Sequence, residues 1–313
     1  MIEINGSKQT AVKLAVNYSA AAGDLLKEGL VHIDCFKCPA WPDLITSVRE
    51  IHPLYVHFPL KVGTGIGDAV DTETKQLADW NKVEQLLTQT ETPLVNVHFS
   101  ASQRDYPDVP PETNDPAHIE MVVEKTVRDV ESVIRRFGRD LVILENLTDD
   151  GDRNLRLSYS PEVITQVVEA AGCGFLFDVS HARLAANRLG VDAKTYMQSL
   201  PVQYTREIHV TGIQRFNGRW ADIARSVGLA EEEIERFSGR LVDHLPFTED
   251  DWTFMTWALG EVHAGRWGRP WVVAFEYGGV GGVFAAATDR AALAEQLPQL
   301  KALVQGSAMA HAA

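Results

Sequence analysis

Apolar runs in this chain repeatedly end on a histidine or a carboxylate. Five are Leu54-Tyr55-Val56-His57, Leu94-Val95-Asn96-Val97-His98, Leu141-Val142-Ile143-Leu144-Glu145, Phe175-Leu176-Phe177-Asp178 and Val272-Val273-Ala274-Phe275-Glu276. A sixth, Glu207-Ile208-His209, does the same from a shorter run. Short apolar runs bounded by turn signals predict buried strands. Strand side chains alternate between faces, so each terminal residue shares a face with the residue two before it. Tyr55 pairs in this way with His57, Asn96 with His98, Ile143 with Glu145 and Leu176 with Asp178. In a barrel of parallel strands those ends converge on one mouth.

Between the runs the spacing is helical. Val12–Asn17 predicts a first strand, followed by a helix capped at Ser19 and ended by Gly29. Val31–Phe36 predicts a second strand and 42–50 a helix with Pro42 in its first turn. The Gly-rich residues 61–72 read as a loop over the mouth, and 73–90 as a helix through Leu77, Trp80, Val83, Leu86 and Leu87. Residues 101–116 read as a long loop. The stretch 117–137 has an apolar face through Val122, Val123, Val130 and Val133, ended by Gly138. Further helices are expected from Pro161 to Gly172, over 249–264 and over 289–304. His181 follows the sixth strand in the turn. An insertion at about 212–242 follows the seventh, with a helical pattern over 230–241. Eight strands alternating with helices predict one α/β domain, a (β/α)8 TIM barrel. Its core spans about 12–304, residues 1–10 are loose, and 305–313 form a frayed tail.

Composition narrows the function. The 313 residues carry a formal net charge of −14, which argues against binding duplex nucleic acid. No apolar run is long enough to span a membrane, and the N-terminus has no signal-peptide pattern. Three cysteines make no disulfide framework, so a cytoplasmic setting is expected. Cys35-Phe36-Lys37-Cys38 is a lone CxxC, which could put Cys38 at the mouth in a redox role. Lys37 and Lys61 read first as solvated lysines and second as contacts for an anionic group. Gly278-Gly279-Val280-Gly281-Gly282 sits where barrels often bind phosphate.

A single buried histidine is as often a satisfied core residue as a ligand. Six strands ending in register on His, Asp or Glu are hard to explain as core filling, because buried ionisable groups are costly unless paired or metal-bound. The pattern predicts a metal site, and these side chains suit Zn, Fe and Mn.

The order His57, His98, Glu145, Asp178-Val179-Ser180-His181, His209, an Asp/His pair and Glu276 resembles the metal-ligand order of endonuclease IV in the xylose-isomerase-like TIM-barrel superfamily. The text Cys173-Gly174-Phe175-Leu176-Phe177-Asp178-Val179-Ser180-His181, then Glu207-Ile208-His209-Val210-Thr211-Gly212, is closer to the multinuclear iron-dependent oxidases of the methanobactin-biosynthesis type, which modify cysteines in peptides. The resemblance implies nine ligands: His57, His98, Glu145, Asp178, His181, His209, Asp243, His244 and Glu276. At three or more ligands per ion, nine imply two or three divalent ions, iron favoured and Zn or Mn open, with Glu145 and Glu276 as bridges. Those families separate the Asp and His by one residue, whereas Asp243 and His244 are adjacent. Extended backbone, reinforced by Pro246, predicts that the two side chains diverge, with His244 in the mouth and Asp243 reaching a different ion or accepting from a ligand histidine. His244→Ala is then expected to cost more than Asp243→Asn. The activity the resemblance implies is oxidation of a cysteine-containing peptide or small thiol, with a substrate-presenting protein as the candidate partner. The alternative is a sugar or sugar-phosphate isomerase or epimerase with Glu145 or Glu276 moving the proton, and behind it a metal-dependent phosphoesterase.

Overall fold

In the computed structural model, which describes residues 11–148 and 154–306, the apolar runs form a ring of parallel strands. The N-terminal residues expected to be loose, 1–10, and the tail from 307 lie outside the described residues. The chain runs β1 (Lys13–Asn17), α1 (Ala20–Lys27), β2 (Cys35–Pro39), α2 (Pro42–Arg49), β3 (Leu54–His57), β4 (Leu60–Val62), β5 (Val70–Asp71) and α3 (Trp80–Gln89). It continues through β6 (Val95–Phe99), α4 (Pro116–Phe137), β7 (Val142–Glu145), α5 (Pro161–Ala171), β8 (Gly174–Asp178), α6 (Val179–Leu189), α7 (Ala193–Ser199) and β9 (Thr205–Val210). Then come β10 (Gly212–Arg215), α8 (Arg219–Ser226), α9 (Glu231–Phe237), β11 (Leu241–Leu245), α10 (Glu249–His263), β12 (Val272–Phe275), α11 (Gly282–Ala287) and α12 (Arg290–Val304).

The sheet order is β3-β2-β1-β12-β9-β8-β7-β6-β4-β5. β3 and β4 are the two halves of one barrel strand broken at Pro59, which has no N–H to give to a ladder. β3 pairs with β2 and β4 with β6, both parallel. Side chains bridge the break. Asn96 Oδ1 accepts from the Phe58 N–H at 2.8 Å and its Nδ2 donates to the Phe58 carbonyl at 3.0 Å. Thr92 Oγ1 accepts from the Val56 N–H at 2.8 Å. The architecture is therefore the expected TIM barrel.

Several boundaries differ from expectation. β2 begins at Cys35 rather than Val31, because Asp34 turns back and its carboxylate accepts the Leu14 N–H. The expected 61–72 loop contains β4 and β5. The helix expected over 73–90 begins at Trp80, where Asp79 caps it by accepting from the Lys82 N–H; Leu77 is exposed. The insertion is a two-stranded antiparallel sheet, β10 and β11, enclosing α8 and α9. Its own small core of Phe216, Trp220, Ala224, Ile234 and Leu245 packs on Ala287 of α11. The helix expected over 230–241 is confined to α9, and 241–245 is strand.

The Gly-rich loop beside the mouth is fixed from below by Asp129 of α4, a fully buried carboxylate. It accepts the N–H groups of Gly63 (2.9 Å), Gly65 (2.9 Å) and Gly67 (2.7 Å), all at positive φ. Asp129→Ala would leave three donors short of a partner at about 1–3 kcal/mol each. We expect a loss of about 3 kcal/mol or more in urea unfolding. A loss under 1 kcal/mol would mean the loop is not held by this clamp.

Candidate metal centre at the barrel mouth

Inside the barrel the side chains lie in layers. The lower layer is apolar, with Ala15, Cys35, Tyr55 and Ala274 in one cluster and Ile143 and Leu176 in another, both packed on Trp271. Tyr55 and Trp271 meet edge to face at 5.0 Å and close the bottom. Two residues further up each strand, on the same face, lies the mouth layer: Asn17, Lys37, His57, His98, Glu145, Asp178 and His209, with Glu276 just past β12.

Glu145 is its centre and is 1% exposed. Its carboxylate oxygens lie 3.1 Å from His98 Nε2, 3.5 Å from His57 Nε2, 3.6 Å from His181 Nδ1 and 3.7 Å from His209 Nδ1. Glu276 Oε1 lies 3.1 Å from His209 Nδ1 and ion-pairs with Lys37 Nζ. Asp178 is the N-cap of α6. One oxygen accepts the His181 N–H at 2.7 Å, and the other lies 3.4 Å from His181 Nδ1. His181 is thus in the first turn of the helix rather than in a preceding turn. Its Nε2 lies 3.2 Å from Asp243 Oδ2.

Asp243 and His244 reach the mouth from β11 of the insertion, and their side chains do not diverge. His244 has φ 58, a left-handed conformation that breaks strand alternation, and its Nε2 lies 4.0 Å from Asp243 Oδ1. The irregularity is accommodated opposite Gly212, where an added Cβ would sit 2.0 Å from the Pro246 carbonyl oxygen. All nine expected residues are therefore gathered at one end of the barrel.

Four of the five imidazoles commit one nitrogen to an acceptor. His98 Nδ1 donates to the Leu60 carbonyl (2.8 Å), His181 Nδ1 to the Asn146 carbonyl (3.0 Å) and His244 Nδ1 to the Glu276 carbonyl (2.9 Å). His209 Nε2 donates to Glu207 Oε1 at 2.8 Å, and Glu207 Oε2 accepts from Trp271 Nε1 at 3.0 Å. A carbonyl or carboxylate can only accept, so each facing nitrogen carries a proton, and the other is the one that gains a proton or, as a lone pair, a metal ion. Those other nitrogens point into the carboxylates. Glu145 Oε2, Asp178 Oδ2 and His209 Nδ1 are buried with no hydrogen-bond partner. The donor set thus fits cations between its members, as metal-bound imidazoles with carbonyl or carboxylate backing do.

The electrostatics agree. Burial, then Lys37 and the neighbouring imidazoles, holds His57 well below its ordinary pKa. Burial would lower His209 too, but Glu276 and the other carboxylates around it outweigh that and hold it well above. Burial would likewise lower His181, and Asp178 and Asp243 reverse it. Burial raises Asp178 to about 7. Without a metal, protons occupy a field that favours positive charge.

Some expectations are corrected. Lys37 is buried at the mouth, not solvated, and Lys61 is paired with Asp105 at 3.0 Å. Cys35 and Cys38 lie within β2 on opposite faces, one in the lumen and one in the outer core. Both are free, burial pushes both thiols up to about 12, and Cys38, as expected, lines the mouth cavity while Cys35 does not. The Gly-rich 278–282 segment leads into the six-residue α11; Gly278 and Gly279 line the cavity. Glu207 was missed as a site residue. Its signal was its place two residues before His209, on the same face.

Above the layer is a cavity of about 450 Å³. Tyr18, Trp41, Leu147, Val280 and Phe284 give it an apolar wall. No helix among the described residues is long and apolar enough to cross a membrane.

A parallel barrel whose mouth gathers this donor set defines a metal-binding enzyme of the xylose-isomerase-like TIM-barrel class. The chain belongs to the family described as RiPP precursor modification enzyme MbnB/TglH/ChrH, whose model matches residues 36–226. It is 27% identical over 201 residues to a UPF0276 protein of Paraburkholderia phytofirmans, a match spanning 62% of each chain. A UPF0276 protein of Chromobacterium violaceum is 26% identical over 202 residues, 62% of this chain and 67% of that one. The match to the first relative thus spans less than two thirds of its length. Among solved structures, a xylose isomerase domain containing protein of Salmonella typhimurium LT2 superposes with a TM-score of 0.51 at 15% identity, over 96% of this chain and 99% of that one. A D-tagatose 3-epimerase-like protein gives 0.51 at 15% identity, over 94% and 97%. These two likenesses show the fold alone.

Proposed function

We propose that this protein is an iron-dependent oxidase holding two or three metal ions and acting on the cysteine of a peptide or on a small thiol. The observation that carries the metal reading is the direction of the imidazoles. Four give one N–H to a fixed acceptor and turn the other nitrogen toward shared carboxylates. Glu145, with His57 and His98 at one oxygen and His209 at the other, is placed to serve more than one ion. When bound, iron supplies the redox chemistry, with the thiol oxidised and dioxygen reduced. Zinc has no redox chemistry and would not serve. Membership in a family of peptide-modifying enzymes supports the substrate class.

The chain's own residues supply orientation and exclusion. The Leu60, Asn146 and Glu276 carbonyls and the Glu207 carboxylate fix the imidazole rings. Tyr55 and Trp271 seal the lumen below, and the apolar wall of the cavity can take a side chain neighbouring the thiol. Changes to such outer partners typically cost 10–100-fold in metal affinity or activity. Glu207→Gln keeps shape but weakens the acceptor. We expect it to lower metal affinity about 10-fold in chelator competition; unchanged affinity would assign Glu207 to packing alone.

The reading is tested on protein purified anaerobically. Metal content should reach two or more iron equivalents per chain, and cysteine-containing peptides or free thiols should drive oxygen uptake. Iron-replete protein that shows no thiol-dependent uptake yet epimerises a ketose belongs to the isomerase class instead.

A further inference from the structure

Of the eight barrel strands, six bring the imidazoles and carboxylates to the mouth layer. The other two bring Asn17 and Lys37. These residues are Cα partners across β1 and β2, and both line the cavity. Lys37 is 7% exposed and is the one Lys or Arg among the described residues lining that cavity. Its ammonium pairs with Glu276, whose Oε1 also faces His209 Nδ1 at 3.1 Å. Asn17 Nδ2 gives one hydrogen to the Gly278 carbonyl at 3.3 Å and has a second.

An ammonium is out of place in a layer that serves only cations, since like charges repel. A buried ammonium needs an anion. In the metal-free chain Glu276 is that anion. Once cations share Glu276, its charge is divided. The ammonium carries three donors, of which Glu276 uses one.

We propose that Lys37, with Asn17 beside it, forms a subsite that holds a carboxylate of the substrate while the thiol meets the metal layer. This rests on the metal-loaded reading above. A singly charged group fits better than a phosphate, because one ammonium would have to offset a dianion lying against Glu276. The subsite makes this a specificity-determining position on the two strands that carry no metal ligand.

The test compares N-acetylcysteine with N-acetylcysteine amide, which differ in one carboxylate. Each is titrated anaerobically by calorimetry into the protein as purified, with its metal content measured. The carboxylate disfavours ionisation of the neighbouring thiol, so any bias from thiolate formation runs against the expected result. We expect the acid to bind about 10-fold tighter or more, the size of a hydrogen bond to a charged group. Lys37→Met should bring the ratio to about one by weakening the acid alone. Equal affinities in the unsubstituted protein, or a preference that survives Lys37→Met, would overturn the proposal. Should Lys37→Met lose metal, the acid-to-amide ratio of the unsubstituted protein still decides, and Lys37→Arg must retain a preference. A carboxylate preference without thiol-dependent oxygen uptake leaves the subsite standing and removes the oxidase reading. Oxygen uptake with equal affinities does the reverse.

Discussion

Glu145→Ala should remove more than one metal equivalent per chain. The reason is geometric. His57 Nε2 and His98 Nε2 face one of its oxygens and His209 Nδ1 faces the other, all within 3.7 Å, so the two oxygens serve different imidazoles. A carboxylate shared between ions serves each of them, and removing it also leaves imidazole lone pairs facing one another. His57 Nε2 and His98 Nε2 are 2.9 Å apart, a separation that without a shared anion or cation requires one of them to be protonated. Loss of a residue behind a ligand costs about 10–100-fold, so loss of a shared ligand should exceed about 100-fold in activity. Glu145→Gln is the control for packing, because it keeps the volume and removes the charge. Metal analysis by mass spectrometry on both variants gives the answer. A loss confined to one equivalent, with the remaining metal undisturbed, would sink the shared-carboxylate arrangement and favour a single-ion site.

The mouth layer was legible where a strand is apolar on both faces and ends on a residue with ligand chemistry. His57, His98, Glu145, Asp178 and Glu276 met both conditions, and His209 met the second from a shorter run. Asn17 and Lys37 lacked the second, because neither side chain has ligand chemistry, and β2 runs on past Lys37 to Pro39. The second strand was also read four residues early, at Val31, since Val31 and Ile33 are apolar but packed outside the ladder. The same reading ended the strand at Phe36, which left Lys37 outside it, although Cys35 and Lys37 share the lumen face. The break at Pro59 was invisible as a closure because it is bridged by the side chains of Thr92 and Asn96, a long-range match that no local pattern carries. Glu207 was readable in principle from its spacing to His209. The turn at His244 was not, since a left-handed backbone is ordinarily signalled by glycine, and here the glycine that permits it is Gly212 on the opposite strand.

That turn reverses the ranking of the Asp243–His244 pair drawn from the sequence. Extended backbone would have sent the side chains apart, with His244 in the mouth and Asp243 reaching a different ion or a ligand histidine. Instead Asp243 is the deeper of the two, its side chain 19% exposed against 30% for His244. Its Oδ2 lies 3.2 Å from His181 Nε2, the nitrogen left free by the bond to Asn146, while Oδ1 faces His244. Burial would raise the Asp243 carboxyl, but His244 and His181 hold it below its ordinary value, so it is poised as an anion between two imidazoles. We therefore expect Asp243→Asn to remove about one ion equivalent and to lower activity about 100-fold, above the effect of His244→Ala, while Glu145-centred metal is retained. The amide NH2 can still donate to His181 Nε2, so structure should persist and the loss should report charge. Metal content and activity measured side by side on the two variants check this order. If His244→Ala proves the more damaging, the imidazole rather than the carboxylate anchors the ion brought by the insertion, and the approach of Asp243 to His181 is only an outer contact.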